Sequence, residues 1–258
     1  MGTTPPLWPR AYGAYAELIF PLLTPFLAGR PSAAGAALAL SVVCWFLLYE
    51  PLAIARGTRG RRLQAPLGAA ARGRFWWLSG LGGLAGVAGL VLAPPPARLA
   101  ALVPGAAAVL VLPAVLRGRL KTLGTELVVA TALSTMLLPV GLAGGMSPRS
   151  ATLDTCVWLL TYWGATLTVH AVKARVKPEL GAPWTLWAAP ALAAAAPLMG
   201  LGAALAGWVP ALVTGALLPG ALLMLAVAAL RVHPRRLKRV GWSLAAANVV
   251  TLVLLVTA

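Results

Sequence analysis

The sequence is poor in acidic residues: five Asp and Glu stand against 21 Lys and Arg, which gives a formal net charge of +16. Charged residues of both signs make up 10% of the chain, whereas a soluble domain averages about 25%. Hydrophobic residues make up 60%, and no stretch is long and polar enough to form a soluble domain. This composition excludes an ordinary soluble protein and predicts an all-α, multi-pass membrane helical bundle, with residues 1–258 in a single transmembrane domain.

Sequence motifs of well-known chemistry are also missing. The chain has no P-loop pattern, no HExxH, no GxSxG and no pair of Asp-rich motifs. Its two cysteines, Cys44 and Cys156, have neither a CxxC partner nor metal-ligand spacing, so we predict that both are buried small hydrophobes. The positive charge does not indicate a nucleic-acid partner, because nearly all Lys and Arg lie in short segments between apolar runs, where they fix topology and contact membrane lipids.

The apolar runs predict about nine transmembrane helices. Their approximate bounds are Tyr12–Ala28, Ala33–Ala55, Phe75–Ala93, Leu99–Leu116, Thr122–Gly144, Thr152–Val172, Thr185–Ala206, Val209–Leu230 and Val240–Thr257. Only Gly207 and Trp208 separate the seventh span from the eighth, so these two could also form a hairpin or a broken helix. Small residues that permit close helix approach occur in the third span, at Gly82, Gly83 and Gly86.

The distribution of basic residues predicts the orientation. With the N-terminus in the cytoplasm, 18 of the 21 Lys and Arg lie on the cytoplasmic side. The other three, Arg30, Arg98 and Arg149, lie outside. This asymmetry follows the positive-inside rule, and we expect the protein in a bacterial inner membrane.

Four polar side chains inside the spans form the candidate site: Glu17, Glu50, Glu126 and His170. Each lies about 4–10 Å along its helix from a cytoplasmic Lys or Arg. An ionisable group within a membrane span costs roughly 2.5–3.5 kcal/mol on insertion scales, so such groups mark functional sites. Their similar depth predicts one polar cavity that opens to the cytoplasm, in which they act as proton acceptors or as ligands of a divalent cation.

Each of these residues also has a purely structural explanation. Glu50 could extend to pair with Arg56, and Glu126 could pair with Lys121. His170 could serve only in packing or hydrogen bonding, and Glu17, which has tyrosines nearby, could be structural as well.

The basic residues next to these spans are candidates for binding an anionic headgroup: Arg10, Arg56, Arg59, Arg61 and Lys121. Arginine offers bidentate donors to phosphate. The alternative is that they only set topology. Asp154 begins the sixth predicted span at the outer surface, where a carboxylate complements the helix dipole.

Two stretches resemble the YwiC-like family of bacterial membrane proteins. The first runs from Trp8 to Tyr15 and the second contains the sequence Tyr49-Glu50-Pro51-Leu52, followed by Arg59-Gly60-Arg61. The family usually has Glu-His where this chain has Ala11-Tyr12, and His where it has Tyr49. Because both histidines are absent, the resemblance argues against a metal role here. It covers about the first 65 residues well and the rest of the chain by layout, and it implies a class of membrane protein rather than an activity.

The layout is also similar to that of UbiA-type prenyltransferases, which have nine helices and an active site facing the cytoplasm. Those enzymes hold Mg²⁺ and a diphosphate with two Asp-rich motifs. Here Glu50 lies near the place of the first motif and Glu179 near that of the second. These are too few oxygen ligands for such a site, so the resemblance implies a shared scaffold without that chemistry.

We therefore expect a protein that binds or modifies an isoprenoid-like or phospholipid-like ligand at its cytoplasmic side. A proton-coupled small-molecule transporter is the first alternative, with Glu17 or Glu126 carrying the proton. An assembly partner of a respiratory membrane complex is the second. An enzyme predicts a cavity open sideways to lipid, whereas a transporter predicts a route to the outer face.

Overall fold

The structure, a computed structural model, describes residues 7–8, 12–119, 121–177 and 182–258. Arg10 and Glu179 lie outside the described residues. The described chain is helical, and no residue in it belongs to a β-strand. The helices are α1 Tyr12–Ala28, α2 Ala33–Ala55, α3 Arg61–Leu92, α4 Pro95–Ala100, α5 Leu102–Leu116, α6 Leu123–Thr135, α7 Leu137–Ala143, α8 Pro148–Ala174, α9 Thr185–Leu205, α10 Ala211–Gly215, α11 Leu218–Ala229 and α12 Leu237–Val256.

Three pairs of consecutive helices continue each other with only one or two residues between them. The breaks fall at Ala101, at Met136 and at residues 216–217. When each of these pairs is counted as one segment, the described chain has a long helical segment at the place of each of the nine predicted spans. Seven of the segments are long and apolar enough to cross a membrane. The fold class is thus confirmed as a multi-pass membrane helical bundle.

The third span departs most from its predicted bounds. It begins at Arg61 rather than Phe75, and α3 has 32 residues, or about 48 Å at 1.5 Å per residue. That length exceeds a hydrocarbon core of about 30 Å, so the first turns, which carry four arginines, extend beyond it. The segment was predicted as a loop because of its charge, yet Arg, Leu, Gln and Ala are good helix formers.

α8 is the central helix of the bundle. More than half of its residues are buried, and it contacts helices on several sides, among them α6, α9 and α11. Trp158 has no exposed surface, and its indole lies between the rings of Phe20 and Tyr162 at centroid distances of 5.7 and 5.6 Å. The Trp158 Nε1–H donates to Thr24 Oγ1 at 2.9 Å, which ties α8 to α1.

α2 and α3 form a closely packed hairpin. The Ser41 hydroxyl donates to the Gly82 carbonyl at 2.8 Å. A Cβ built on Gly82, Gly86 or Gly89 would lie 2.9 Å or less from atoms of α2. The close approach predicted for Gly82 and Gly86 is therefore confirmed. The prediction for Gly83 is wrong, since a Cβ there would meet open space.

Large apolar side chains cover the outer surface of the bundle. Trp76, Leu84 and Leu205 are between 71% and 81% exposed, as expected where lipid replaces a protein partner. Cys44 is buried as predicted, whereas Cys156 is exposed. The second cysteine differs from its prediction because its position on α8 faces away from the packed core.

Candidate functional site

The Glu126–His170 pair joins α6 to α8. His170 Nε2 lies 2.8 Å from Glu126 Oε2, and the side chains are 4% and 31% exposed, respectively. Glu126 lies in the first turn of α6, where the helix dipole stabilises a carboxylate. The Thr122 side chain caps this helix by accepting from the Thr125 N–H. Glu126 thus remains accessible while its partner is buried.

Glu17 and Tyr162 extend this pair into the bundle. The Glu17 carboxyl on α1 is within electrostatic range of the Glu126 carboxyl and of the Tyr162 hydroxyl. That hydroxyl donates to the Ala16 carbonyl at 2.8 Å. Three helices, α1, α6 and α8, therefore bring two carboxyls, an imidazole and a phenol together.

Asn248 of α12 is the fifth member of this group. It is 3% exposed, and its Nδ2 donates to the Tyr162 oxygen at 3.5 Å. Its Oδ1 is buried without a hydrogen-bond partner among the described residues. We call the group of Glu17, Glu126, Tyr162, His170 and Asn248 the inner cluster. The Asn248 Oδ1 of the inner cluster can therefore accept a hydrogen bond from a ligand or a water molecule.

Glu50 has a different partner. Its Oε2 accepts from Arg59 Nη2 at 2.5 Å, and the side chains are 8% and 32% exposed, respectively. The Arg59 guanidinium also lies 5.5 Å from the centroid of the Tyr49 ring. The hydrogen bond to Glu50 raises the pKa of Arg59 above its already high ordinary value. The alternative pairing of Glu50 with Arg56 is not found among the described residues, because Arg59 takes that place.

Backbone geometry explains why Arg59 can reach Glu50. Gly57 and Gly60 have φ values of +74° and +95°, which glycine adopts easily and other residues rarely do. These residues turn the chain back between α2 and α3. Thr58 Oγ1 donates to the Ala53 carbonyl, and Gln64 Nε2 to that of Ala55. The turn is therefore fixed at the end of α2, with Arg59 within reach of Glu50.

Of the four predicted site residues, the structure places Glu126 and His170 in contact and Glu17 within electrostatic range of Glu126. Among the described residues, no hydrogen bond or ion pair joins Glu50 to either of the other glutamates. A single cavity that holds all four stays a prediction. Tyr162 was missed by sequence reasoning, although its place two turns before His170 on the same predicted span was an available signal.

The basic residues predicted to bind a headgroup now have distinct environments. Arg59 is engaged with Glu50, while Arg56, Arg61 and Lys121 are exposed. The alternative pairing of Glu126 with Lys121 is not found, since Glu126 binds His170. Within the described ranges, the side chains of Arg56, Arg61 and Lys121 make no ion pair, so they are available to a ligand near the end of α2 and the starts of α3 and α6.

The donor set for a metal ion is small. Within the described ranges, no three His, Cys, Asp or Glu side chains lie together as a metal ion would require. The inner cluster therefore offers groups that hold or move protons, such as an imidazole and carboxyls, rather than a ready-made cation site.

A family model described as YwiC-like protein matches residues 8–141 of the chain. The match includes Glu17, Glu50 and Glu126, and it ends before α8. No curated protein and no solved structure matches the chain. The similarity to UbiA-type prenyltransferases that the layout suggested is not supported.

Proposed function

The chain belongs to the YwiC-like protein family, and from this premise we propose that it is a bacterial inner-membrane protein that binds an amphiphile with an anionic head at its arginine-rich end. The Glu126–His170 pair then serves as the proton donor and acceptor for that ligand. The ligand class is a phospholipid-like or isoprenoid-like molecule. One observation carries the proposal: the pair lies 2.8 Å apart at the end of the bundle where the exposed cations are concentrated.

The exposed cations supply the contacts to the head. Arg56 and Arg61 flank the turn between α2 and α3, and Lys121 lies just before α6, which carries Glu126. All three are exposed. A cation near an anionic membrane surface contributes about 1 kcal/mol of attraction. Arginine adds paired hydrogen bonds to phosphate oxygens. Arg59 is left out of this set because Glu50 neutralises it.

The Glu126–His170 pair supplies the proton chemistry. A carboxyl and an imidazole at 2.8 Å can pass a proton between them. Since Glu126 is 31% exposed, it can exchange a proton with a bound ligand or with water. Glu17 lies behind the pair as a second carboxyl that can accept the proton.

Native mass spectrometry of the purified protein tests the headgroup contacts, with phosphatidylglycerol and phosphatidylcholine as probes. Replacement of both Arg56 and Arg61 by Gln removes about 2 kcal/mol of attraction. The affinity for phosphatidylglycerol should therefore fall about 30-fold. Phosphatidylcholine retention should not change. Arg149→Gln is the matched control, because Arg149 is exposed at the opposite end.

Equal phosphatidylglycerol retention in the double variant would contradict the proposal and reduce these arginines to topology signals. Glu126→Gln separates the two parts of the site, because it keeps a hydrogen-bonding side chain and removes the charge. We expect it to retain phosphatidylglycerol as well as the wild type does. A loss of retention would mean that a cation bridges the carboxylate and the headgroup.

A further inference from the structure

Asp154 occupies a position that the helix dipole does not explain. α8 begins at Pro148, and Ser147 caps it by accepting from the Ser150 N–H at 3.0 Å. Asp154 is therefore the seventh residue of α8 and lies in its second turn, whereas the dipole acts mainly on the first turn. The sequence pattern predicts that this helix begins at Thr152, which would make Asp154 an ordinary N-terminal acid.

Asp154 is also largely buried, with 4% of its surface exposed. In the part of the chain that the structure describes, it makes no hydrogen bond or ion pair. A carboxyl with so little exposure is costly to charge unless it meets a partner. Its oxygens are not sealed within the protein, because Asp154 lines a cavity, so a partner from outside the chain can reach them.

A cavity of about 580 Å³ lies against Asp154. It is at the end of the bundle opposite the arginine-rich turns, where the ends of α1, α7 and α12 meet the start of α8. Its lining includes Arg30, Met146, Ser147, Ser150, Asp154 and Leu255. Small-molecule sites typically have volumes of about 300–1,000 Å³, so the cavity has the size of such a site.

We propose that this cavity binds a small zwitterion, whose protonated amine pairs with Asp154 and whose anionic group pairs with Arg30. Arg30 is exposed at the cavity wall, and its N–H donates to the Gly144 carbonyl at 2.9 Å, which fixes the position of its backbone. Met146 and Leu255 offer apolar contacts for a side group. A metal ion fits less well, because one carboxylate is far fewer oxygen ligands than Ca²⁺ or Mg²⁺ takes.

This site is separate from the inner cluster, since Asp154 and His170 are 16 residues apart on α8, or about 24 Å. It provides the outward-facing ionisable group that a transport route would need. The proposal itself concerns binding alone, so its test does not depend on lipid binding at the other end.

Isothermal titration of the purified protein in detergent tests this site with three probes of one carbon skeleton: leucine, leucine amide and 4-methylpentanoate. Leucine has both charges, the amide only the amine and the acid only the carboxylate. We expect wild type to bind leucine most tightly. Asp154→Asn should weaken the binding of leucine and of leucine amide about tenfold or more, because a hydrogen bond to a charged group is lost.

Arg30→Gln should weaken the binding of leucine and leave the binding of leucine amide unchanged, because leucine has a carboxylate and the amide does not. Arg149→Gln is the matched control and should change neither, since Arg149 donates instead to the Trp208 carbonyl. Absence of leucine and leucine amide binding to wild type at about 10 mM, or equal binding to Asp154→Asn, would overturn the proposal. If Asp154→Asn does not fold, Arg30→Gln decides. Weaker leucine binding with unchanged leucine amide binding supports the proposal, and unchanged leucine binding overturns it.

Discussion

At the scale of single residues, two buried ionisable groups of the bundle, Glu50 and His170, have specific partners. Glu50 is 8% exposed in its side chain and binds Arg59, while His170 is 4% exposed and binds Glu126. A buried charge is tolerated only when such a partner is present. The polar side chains therefore stabilise particular contacts between elements, and removal of one partner harms the other.

The Glu50–Arg59 pair gives the first prediction at this scale. Arg59→Ala leaves Glu50 buried without its cation, and we expect a loss of about 1–3 kcal/mol in the free energy of unfolding. The measurement is the thermal unfolding midpoint in detergent. Glu50→Gln combined with Arg59→Gln should recover most of the loss, because no isolated charge remains.

Arg61→Ala serves as the control for that prediction. Arg61 is exposed, and an exposed cation without an ion pair contributes little to stability. We expect no shift of its unfolding midpoint. An unchanged midpoint for Arg59→Ala as well would contradict the assignment of the pair as a structural contact.

At the scale of elements, the α2–α3 hairpin is held by close backbone approach. Small residues permit such packing in membranes, where the hydrophobic effect between helices is absent. The glycines at 82, 86 and 89 face α2, and Gly83, one residue from the first, does not. The hairpin presents the Gly57–Gly60 turn, and with it Arg56, Arg59 and Arg61, at one end of the bundle.

Gly89→Ala tests this packing. The added Cβ would lie 2.8 Å from Leu38 Cγ and 2.9 Å from the Leu38 backbone N. Because a backbone atom cannot turn aside like a side chain, α2 must shift. We expect a loss of about 1–3 kcal/mol in stability, measured as a lower unfolding midpoint.

Gly83→Ala is the matched control on the same helix. A Cβ there meets nothing within 4 Å, and alanine is the better helix former by about 1 kcal/mol. Its midpoint should be equal to or higher than that of wild type. Equal destabilisation by both variants would show that the effect comes from the loss of a glycine and not from contact with α2.

At the scale of the whole molecule, the bundle has two chemically different ends. One end has the exposed cations and the Glu126–His170 pair. The other has the Asp154 cavity and few charges. The central helix α8 connects the two, with Trp158 packed between Phe20 and Tyr162 midway. This arrangement follows the distribution of Lys and Arg that fixes orientation in a membrane.

The orientation is testable with single cysteines in a background that lacks Cys44 and Cys156. Lys121→Cys places an exposed thiol just before the fifth span, and Arg149→Cys places one after it, in the first turn of α8. We expect a membrane-impermeant maleimide to label Arg149→Cys on intact cells, and Lys121→Cys only after permeabilisation. The reverse pattern would invert the orientation. Labelling of both from one side would mean that this span does not cross the membrane.

The positions of the helices could largely be predicted from the sequence. α1 and α2 have the predicted bounds, because apolar length sets a span and charged or glycine-containing segments end it. The start of α3 differs from its predicted position, because its first residues are charged and a charged segment between apolar runs predicts a loop. Helix propensity and the packing of Leu63 and Leu67 in one apolar cluster with Ile54 extend this helix into the charged segment.

The sequence by itself determined the class of the protein, the number of long helical segments and the presence of costly acids within them, because each of these depends on local composition. Only the tertiary structure decided which acid meets which base. Glu126 and His170 are 44 residues apart in sequence, and their contact depends on how α6 packs against α8. Likewise, the partner of Glu50 and the burial of Asp154 depend on a turn and a cavity made by several elements, and such packing leaves no local pattern in the sequence.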